Sequence, residues 1–297
     1  MKTHKLFALG LLIDLALITS AKAECPQGET LGTDNVCYPA SGTCGKSCLW
    51  NYDSETHRLT ISGDGNMTDY DGYYREDLKR YQTSAPWKYF DDNVYAVSIE
   101  GNLKNIGSHT VYNLNNLQDL KITAPVETIG FQSLHSTSRL ADGFKLPETV
   151  TTIADQGLYD FKGQDDRIII PDSVETIGRL GLRQVQVSKI FLGNGVQSIG
   201  ENAFWGISRD LVVYCENTTA GRCANLIAQN NSDSMAKLKA YTKIHTLNGD
   251  RYIFGDTWYK SISDFENNKP VKKIYTIEEA MEATKNGTKF HVGLTYK

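Results

Sequence analysis

The sequence predicts a solenoid, α/β or mainly β, built from coils of about 22–24 residues that each carry one short strand and are capped at both ends. Three observations predict it. Ile106-Gly107, Ile129-Gly130, Ile153-Ala154, Ile177-Gly178 and Ile199-Gly200 recur at intervals of 23, 24, 24 and 22 residues. Apolar residues keep further offsets in register around those isoleucines. The flanking stretches, which hold five of the six cysteines, look unlike the repeats, as segments that close open ends should.

The offsets have a geometric meaning. With each Ile as position 0, position −9 holds Val97, Leu120, Phe144, Ile168 and Ile190, and position −7 holds Ile99, Ile122, Leu146, Ile170 and Leu192. Two apolar residues separated by one residue describe a strand with one face turned inward. Positions −6 to −4 then contain Pro147-Glu148-Thr149, Pro171-Asp172-Ser173 and Gly193-Asn194-Gly195, turn formers that bend the chain out of the strand. Leu103, Val126, Val150, Val174 and Val196 at −3 return inward with the Ile. Val111, Leu134, Leu158, Leu182 and Phe204 do the same at +5. Gly at +1 in four copies predicts a left-handed or crowded backbone site. Thr110, Ser133, Gly157, Gly181 and Ala203 at +4 are small enough to let coils approach. One coil cannot bury its own apolar side, whereas a stack of them can.

The segments LPETVTTIADQGLYD, IPDSVETIGRLGLRQ and LGNGVQSIGENAFWG resemble the BspA-type leucine-rich repeat, whose pattern runs approximately I-P-x-x-V-x-x-I-G-x-x-A-F. Residues 199–204 carry its full second half. The other copies keep small-then-apolar at the Ala-Phe positions. Cys44-Gly45, Cys48-Leu49-Trp50, residues 51–70 and Ala85-Pro86-Trp87 resemble the N-terminal module that precedes such repeats in secreted bacterial proteins. The resemblance implies a secreted or cell-surface repeat protein and specifies no ligand.

Domain organisation follows. Residues 1–23 read as a signal peptide: Lys2 and Lys5, an apolar run from Leu6 to Ile18, then Ala21-Lys22-Ala23 as the cleavage pattern. Asp14 and the shortness of the run argue against a membrane anchor, and no later stretch is apolar enough to span a bilayer. Residues 24–90 form a disulfide-containing N-terminal cap, with Trp50, Trp87, Tyr89 and Phe90 over the first coil or, alternatively, stacking on carbohydrate. Residues 91–215 are the repeats. Residues 216–249 form a helical cap, with helices expected at 219–229 and 235–243. Residues 250–297 form a small β/α module: a hairpin, a linker near 267–270, a strand at 273–275, a helix at 277–284 and a final strand at 290–296. This module caps the fold or serves as an export or attachment tag.

An exported chain oxidises its thiols. Six cysteines allow fifteen pairings, among which proximity favours Cys25–Cys37, Cys44–Cys48 and Cys215–Cys223, each closing a small loop. Cys44-x3-Cys48 without a second cysteine pair or a nearby His pair is a poor zinc pattern, so no metal is expected. The sequence contains no GxSxG, HExxH, phosphate-binding glycine loop or EF-hand, and therefore implies no enzyme and no cofactor. A formal net charge of −4, or −6 without residues 1–23, with no basic tract, argues against nucleic acid.

What remains is surface. Positions −8 (Ser98, Lys121, Lys145, Ile169, Phe191) and −10 (Ala96, Asp119, Gly143, Arg167, Lys189) face outward from the strand ladder. The candidate binding residues are Lys121, Lys145, Arg167, Ile169, Lys189 and Phe191: basic groups beside an apolar patch on an otherwise acidic protein. This reading is of a non-enzymatic secreted or cell-surface protein that contacts an extracellular protein or glycan, as an adhesin would. Periplasmic retention is the alternative location. A structural envelope component without external ligand, and a hydrolase with a composite site invisible in sequence, are the alternative functions.

Overall fold

The computed structural model describes residues 25–137, 140, 144–162, 166–207, 211–216, 237–244, 251–254 and 257–270. The coils stack on two parallel ladders. In the first, Ala96–Ile99 pairs with Asp119–Ile122, and Arg167–Ile170 pairs with Lys189–Leu192, which pairs with Val212–Glu216. The second is a column of two-residue strands, Asn105–Ile106, Thr128–Ile129, Thr152–Ile153, Thr176–Ile177 and Ser198–Ile199. Its register joins Ile106, Ile129, Ile153, Ile177 and Ile199 rung by rung, so equal sequence offsets are true neighbours in space. Each coil therefore has a second strand at the Ile itself, in addition to the one expected. In the third coil the expected strand around Phe144 and Leu146 is absent, although Leu146 is buried and Phe144 half-buried.

The core is the set of offsets. The residues at −3, 0 and +5 are all buried, from Leu103, Ile106 and Val111 in the first coil to Val196, Ile199 and Phe204 in the fifth. A further apolar offset at +8, overlooked in the sequence, adds Leu114, Phe161 and Val185 to the same cluster. The second coil has Thr137 there, fully buried, and its hydroxyl has no hydrogen-bond partner.

The third side of each coil is a run of tight turns. Every coil places a positive φ at +3 (His109, Gln132, Gln156, Leu180, Asn202) and another at +7 (Asn113, Ser136, Asp160, Gln184, Gly206). These twists turn backbone N–H groups along the solenoid axis. Leu134 N thus donates to Gly157 O, Leu158 N to Gly181 O, and Leu182 N to Ala203 O. The glycines at +1 are crowded rather than left-handed: a Cβ on Gly178 would lie 2.5 Å from the Asp155 nitrogen.

Both ends are covered. At the N-terminal end Arg58–Gly65 pairs in parallel with Ala96–Ile99 and antiparallel with Cys48–Asp53, which pairs with Ser41–Thr43. Trp87 and Phe90, on a 3₁₀ helix Pro86–Asn93, are fully buried. Phe90 stacks on Tyr52 at 4.5 Å, and the Trp87 indole donates to the Thr110 carbonyl of the first coil at 3.0 Å. The packing expectation for Trp50, Trp87 and Phe90 holds, and burial removes those rings from any carbohydrate-stacking role. Cys25–Cys37 and Cys44–Cys48 are disulfides. Cys215 is also disulfide-bonded. Cys223 lies outside the described residues, as do residues 1–24, the helix expected at 219–229 and the elements expected beyond 270.

At the C-terminal end one expectation is overturned. Residues 235–243 were expected to hold a second short helix, but Lys237–Ile244 is a strand, parallel to Val212–Glu216. A sheet edge at Val212–Glu216 would leave a row of backbone groups unpaired, and this strand pairs them. The hairpin Arg251–Phe254 and Thr257–Tyr259 is present and continues the same sheet antiparallel to Lys237–Ile244. Helix α1, Ile262–Glu266, follows and was not expected. Ser261 caps it by accepting from the Asp264 nitrogen at 3.0 Å, and Asp264 in the first turn suits the positive end of the helix. Among the described residues no helix is long and apolar enough to cross a membrane.

Two substitutions test this packing. Thr137→Val should stabilise the protein by about 1 kcal/mol, because it removes a buried unpaired hydroxyl. Gly178→Ala should destabilise it by about 1–3 kcal/mol through overpacking. Urea denaturation followed by circular dichroism measures both.

Candidate functional site

The outward strand face divides into three parts. In the first, Ser41, Thr43, Leu49, Asn51, Thr60 and Ser62 line a shallow groove of about 420 Å³ on the N-terminal strands. Antiparallel register places all six on one face. Beside it Arg58 reaches across the sheet, donating to Ser98 Oγ and pairing with Asp119, both at 2.8 Å. Ser98 is buried beneath that arm.

The middle part is open. Lys121 and Lys145 are exposed, and the described residues offer neither an ion-pair partner. Ile169 follows in the next coil at 41% exposure. These three stand on successive coils, Lys121 and Ile169 on strands of separate sheets and Lys145 on the strandless stretch between them. Gly143 lies outside the described residues.

The last part is covered by the chain itself. Helix α1 lies over the strands of the last coils and forms a small second core in which Phe191, Tyr214 and Ile262 are buried and Phe265 packs against them. Phe191 stacks on Tyr214 at 4.6 Å. Glu266 bonds to Arg167 and also to Lys189 Nζ, the latter at 3.0 Å. Two corrections follow. Phe191, expected to be exposed, has no exposed surface. Arg167 and Lys189, expected to be open basic groups, both bond to one carboxylate that is itself 12% exposed. The sequence could not show this, because Glu266 is 99 residues from Arg167 and outside the repeat register. Of the six candidates, the structure brings Lys121, Lys145 and Ile169 together on the open face and gathers Arg167, Lys189 and Phe191 under α1.

The turn side carries a column the sequence reading missed. Position +6 holds Tyr112, His135, Tyr159, Arg183 and Trp205. Tyr112 stacks on His135 at 4.7 Å, and His135 meets Tyr159 edge-on at 4.4 Å. The Arg183 guanidinium lies 4.7 Å from the Tyr159 ring centre and 4.5 Å from that of Trp205. Reading the +6 offset across all five copies would have found it, since four of the five are aromatic or imidazole. Burial lowers the His135 pKa to about 4, with Asp160 opposing and the positive charge of Arg183 assisting. His135 Nδ1 lies 3.0 Å from Asn113 Oδ1, which makes it the donor and leaves a neutral imidazole in the stack. The column braces the coils. Among the described residues no group of three or more His, Cys, Asp or Glu could hold a metal ion.

Two ladders of stacked coils, an apolar interior at fixed offsets and covered ends define a leucine-rich repeat solenoid. The chain belongs to the BspA type Leucine rich repeat family, whose repeat region matches in six copies over residues 88–212 and 159–274. The match runs through the added strand and hairpin at the C-terminal end.

Among solved structures the chain is similar to a leucine-rich repeat protein from Eubacterium ventriosum ATCC 27560, at 20% identity and TM-score 0.49, covering 60% of this chain and 44% of that one. It is also similar to a leucine rich cell surface protein from Faecalibacterium prausnitzii A2-165, at 18% identity and TM-score 0.34, covering 72% and 60%. A leucine-rich repeat protein from Bacteroides ovatus ATCC 8483 shows 13% identity and TM-score 0.29, covering 67% and 78%. The chain spans less than two thirds of the length of the first two. No curated protein matches it.

Two outcomes are expected. Protonation of His135 is disfavoured in the fold, so its contribution is complete above the ordinary pKa of 6.5 and is lost as pH falls toward about 4. His135→Phe should therefore flatten the fall in stability over that window, measured by urea titrations at several pH values. Glu266→Lys should place three cations together and release α1. Hydrogen exchange should then rise at 262–266 while 105–106, 128–129 and 152–153 keep their protection.

Proposed function

We propose that this chain is an exported, non-enzymatic binding protein of the cell surface that uses its outward strand face to contact an extracellular protein or glycan. The observation that carries this reading is the open middle of that face. Lys121 and Lys145 stand there, without ion-pair partners among the described residues, beside exposed Ile169 on a chain of net negative charge. Exposed cations beside an apolar side chain on successive coils suit a partner that supplies carboxylates or sulfates and some apolar surface. Export is supported by the Lys2 and Lys5 end, the apolar run and Ala21-Lys22-Ala23, and by the disulfides that an oxidising compartment maintains. Membership of a repeat family supports binding over catalysis.

A second reading has its own observation. The C-terminal segment already occupies the face over Phe191 and Tyr214, which suits a structural envelope component whose surface serves assembly.

Binding of the purified, oxidised chain to a panel of extracellular proteins, glycans and envelope fractions of the producer tests both. Saturable binding to an extracellular component, reduced at least tenfold in Lys121→Glu/Lys145→Glu, is the expected result. Binding confined to the producer's envelope and indifferent to those substitutions would favour the structural reading.

A further inference from the structure

The way α1 sits on the outward face shows what chemistry that face accepts. Position −8 along the coils reads Ser98, Lys121, Lys145, Ile169, Phe191, and the ladder adds Tyr214 opposite Phe191. Position −10 brings Arg167 and Lys189 side by side. On the last coils α1 answers this pattern with two kinds of group from Ile-Ser-Asp-Phe-Glu: Ile262 and Phe265 against Phe191 and Tyr214, and the Glu266 carboxylate between Arg167 and Lys189.

The open coils repeat the same elements in the neighbouring register. Ile169 pairs directly with Phe191 across the ladder, so it borders the apolar patch under α1. Lys145 and Lys121 continue from it on the two preceding coils, exposed and without ion-pair partners among the described residues. Asp119 does not neutralise them, because Arg58 holds it at 2.8 Å. The face beyond α1 therefore presents an apolar residue followed by two cations, one on each of three successive coils.

Resting on the binding role proposed above, we infer that the open coils take an acidic protein segment carrying an apolar residue, docked alongside α1 in the same manner. The apolar side chain packs on Ile169 against the edge of the α1 core, and its carboxylates meet Lys145 and Lys121. The partner is a protein segment rather than an acidic polysaccharide, because Ile169 and the adjoining core offer apolar surface that a sulfated or carboxylated sugar leaves unmatched.

The probe is a fluorescein-labelled peptide that repeats the Ile-Ser-Asp-Phe-Glu sequence twice, titrated into the full chain and followed by anisotropy at low and moderate salt. Saturable binding is expected. It should weaken about tenfold or more in Lys121→Glu/Lys145→Glu and severalfold in Ile169→Ser, and it should weaken with salt. All three side chains are exposed, so the variants retain the fold, which circular dichroism verifies.

Three results would overturn the inference: no binding of the peptide, equal binding by the lysine variants, or equal binding of polyglutamate and of an acidic polysaccharide. The Lys121→Glu/Lys145→Glu variant on the panel separates the two levels. If the peptide fails but a panel component still depends on these lysines, the face binds and its partner is not an acidic peptide. If neither depends on them, the binding face itself falls.

Discussion

The structure depends on coil-to-coil register. No coil of some two dozen residues can enclose its own Ile, Val and Leu side chains, so each borrows a wall from the next. The borrowing works because both ladders place equal offsets opposite one another, Ile106 on Ile129 on Ile153, and Ile168 on Ile190. A slip of one residue would send every inward side chain outward. The turn side enforces the same register independently. Its two left-handed residues per coil aim N–H groups at the following coil. Most of those positions hold Asn, Gln, His, Ser or Asp. Gly206 takes the conformation freely, whereas Leu180 carries a β-carbon that is strained there, so backbone pairing outweighs local preference.

Stacking creates two problems at its ends, exposed apolar layers and unpaired sheet edges, and the two ends solve them differently. The N-terminal module is dense and aromatic: Trp50, Trp87, Tyr52 and Phe90 fill the open layer, and two disulfides restrain a stretch too short to build a large core. The C-terminal end extends the sheet with Lys237–Ile244 and a hairpin. It then returns α1 onto the outside, where a second small core forms apart from the first.

That return decides the electrostatics of the surface. A single exposed ion pair contributes little, about 0–1 kcal/mol. Glu266 is different: it is largely buried, shared by two cations and set beside an apolar contact, so its carboxylate interacts through less water. Lys121 and Lys145 remain open, with no ion-pair partner among the described residues. The free surface is therefore narrower than the periodic pattern and centred on the second to fourth coils.

The sequence by itself determined the solenoid, the phase of each coil and the inward residues at five offsets, and it favoured the local disulfides Cys25–Cys37 and Cys44–Cys48 that the structure contains. Periodic burial and short loops are local properties, and local properties are written in spacing. Only the tertiary structure decided which outward residues stay outward. Phe191 shares the −8 position with Lys145 and Ile169, and Lys189 is a basic group of the same outward face, yet Phe191 is buried and Lys189 is held by Glu266 while Lys145 and Ile169 are open. The difference lies in Ile262, Phe265 and Glu266, which follow the repeats without sharing their period. Lys237–Ile244 was misread for a related reason: a short segment of mixed polarity takes its conformation from the sheet edge it completes, and that edge exists only after the coils have stacked.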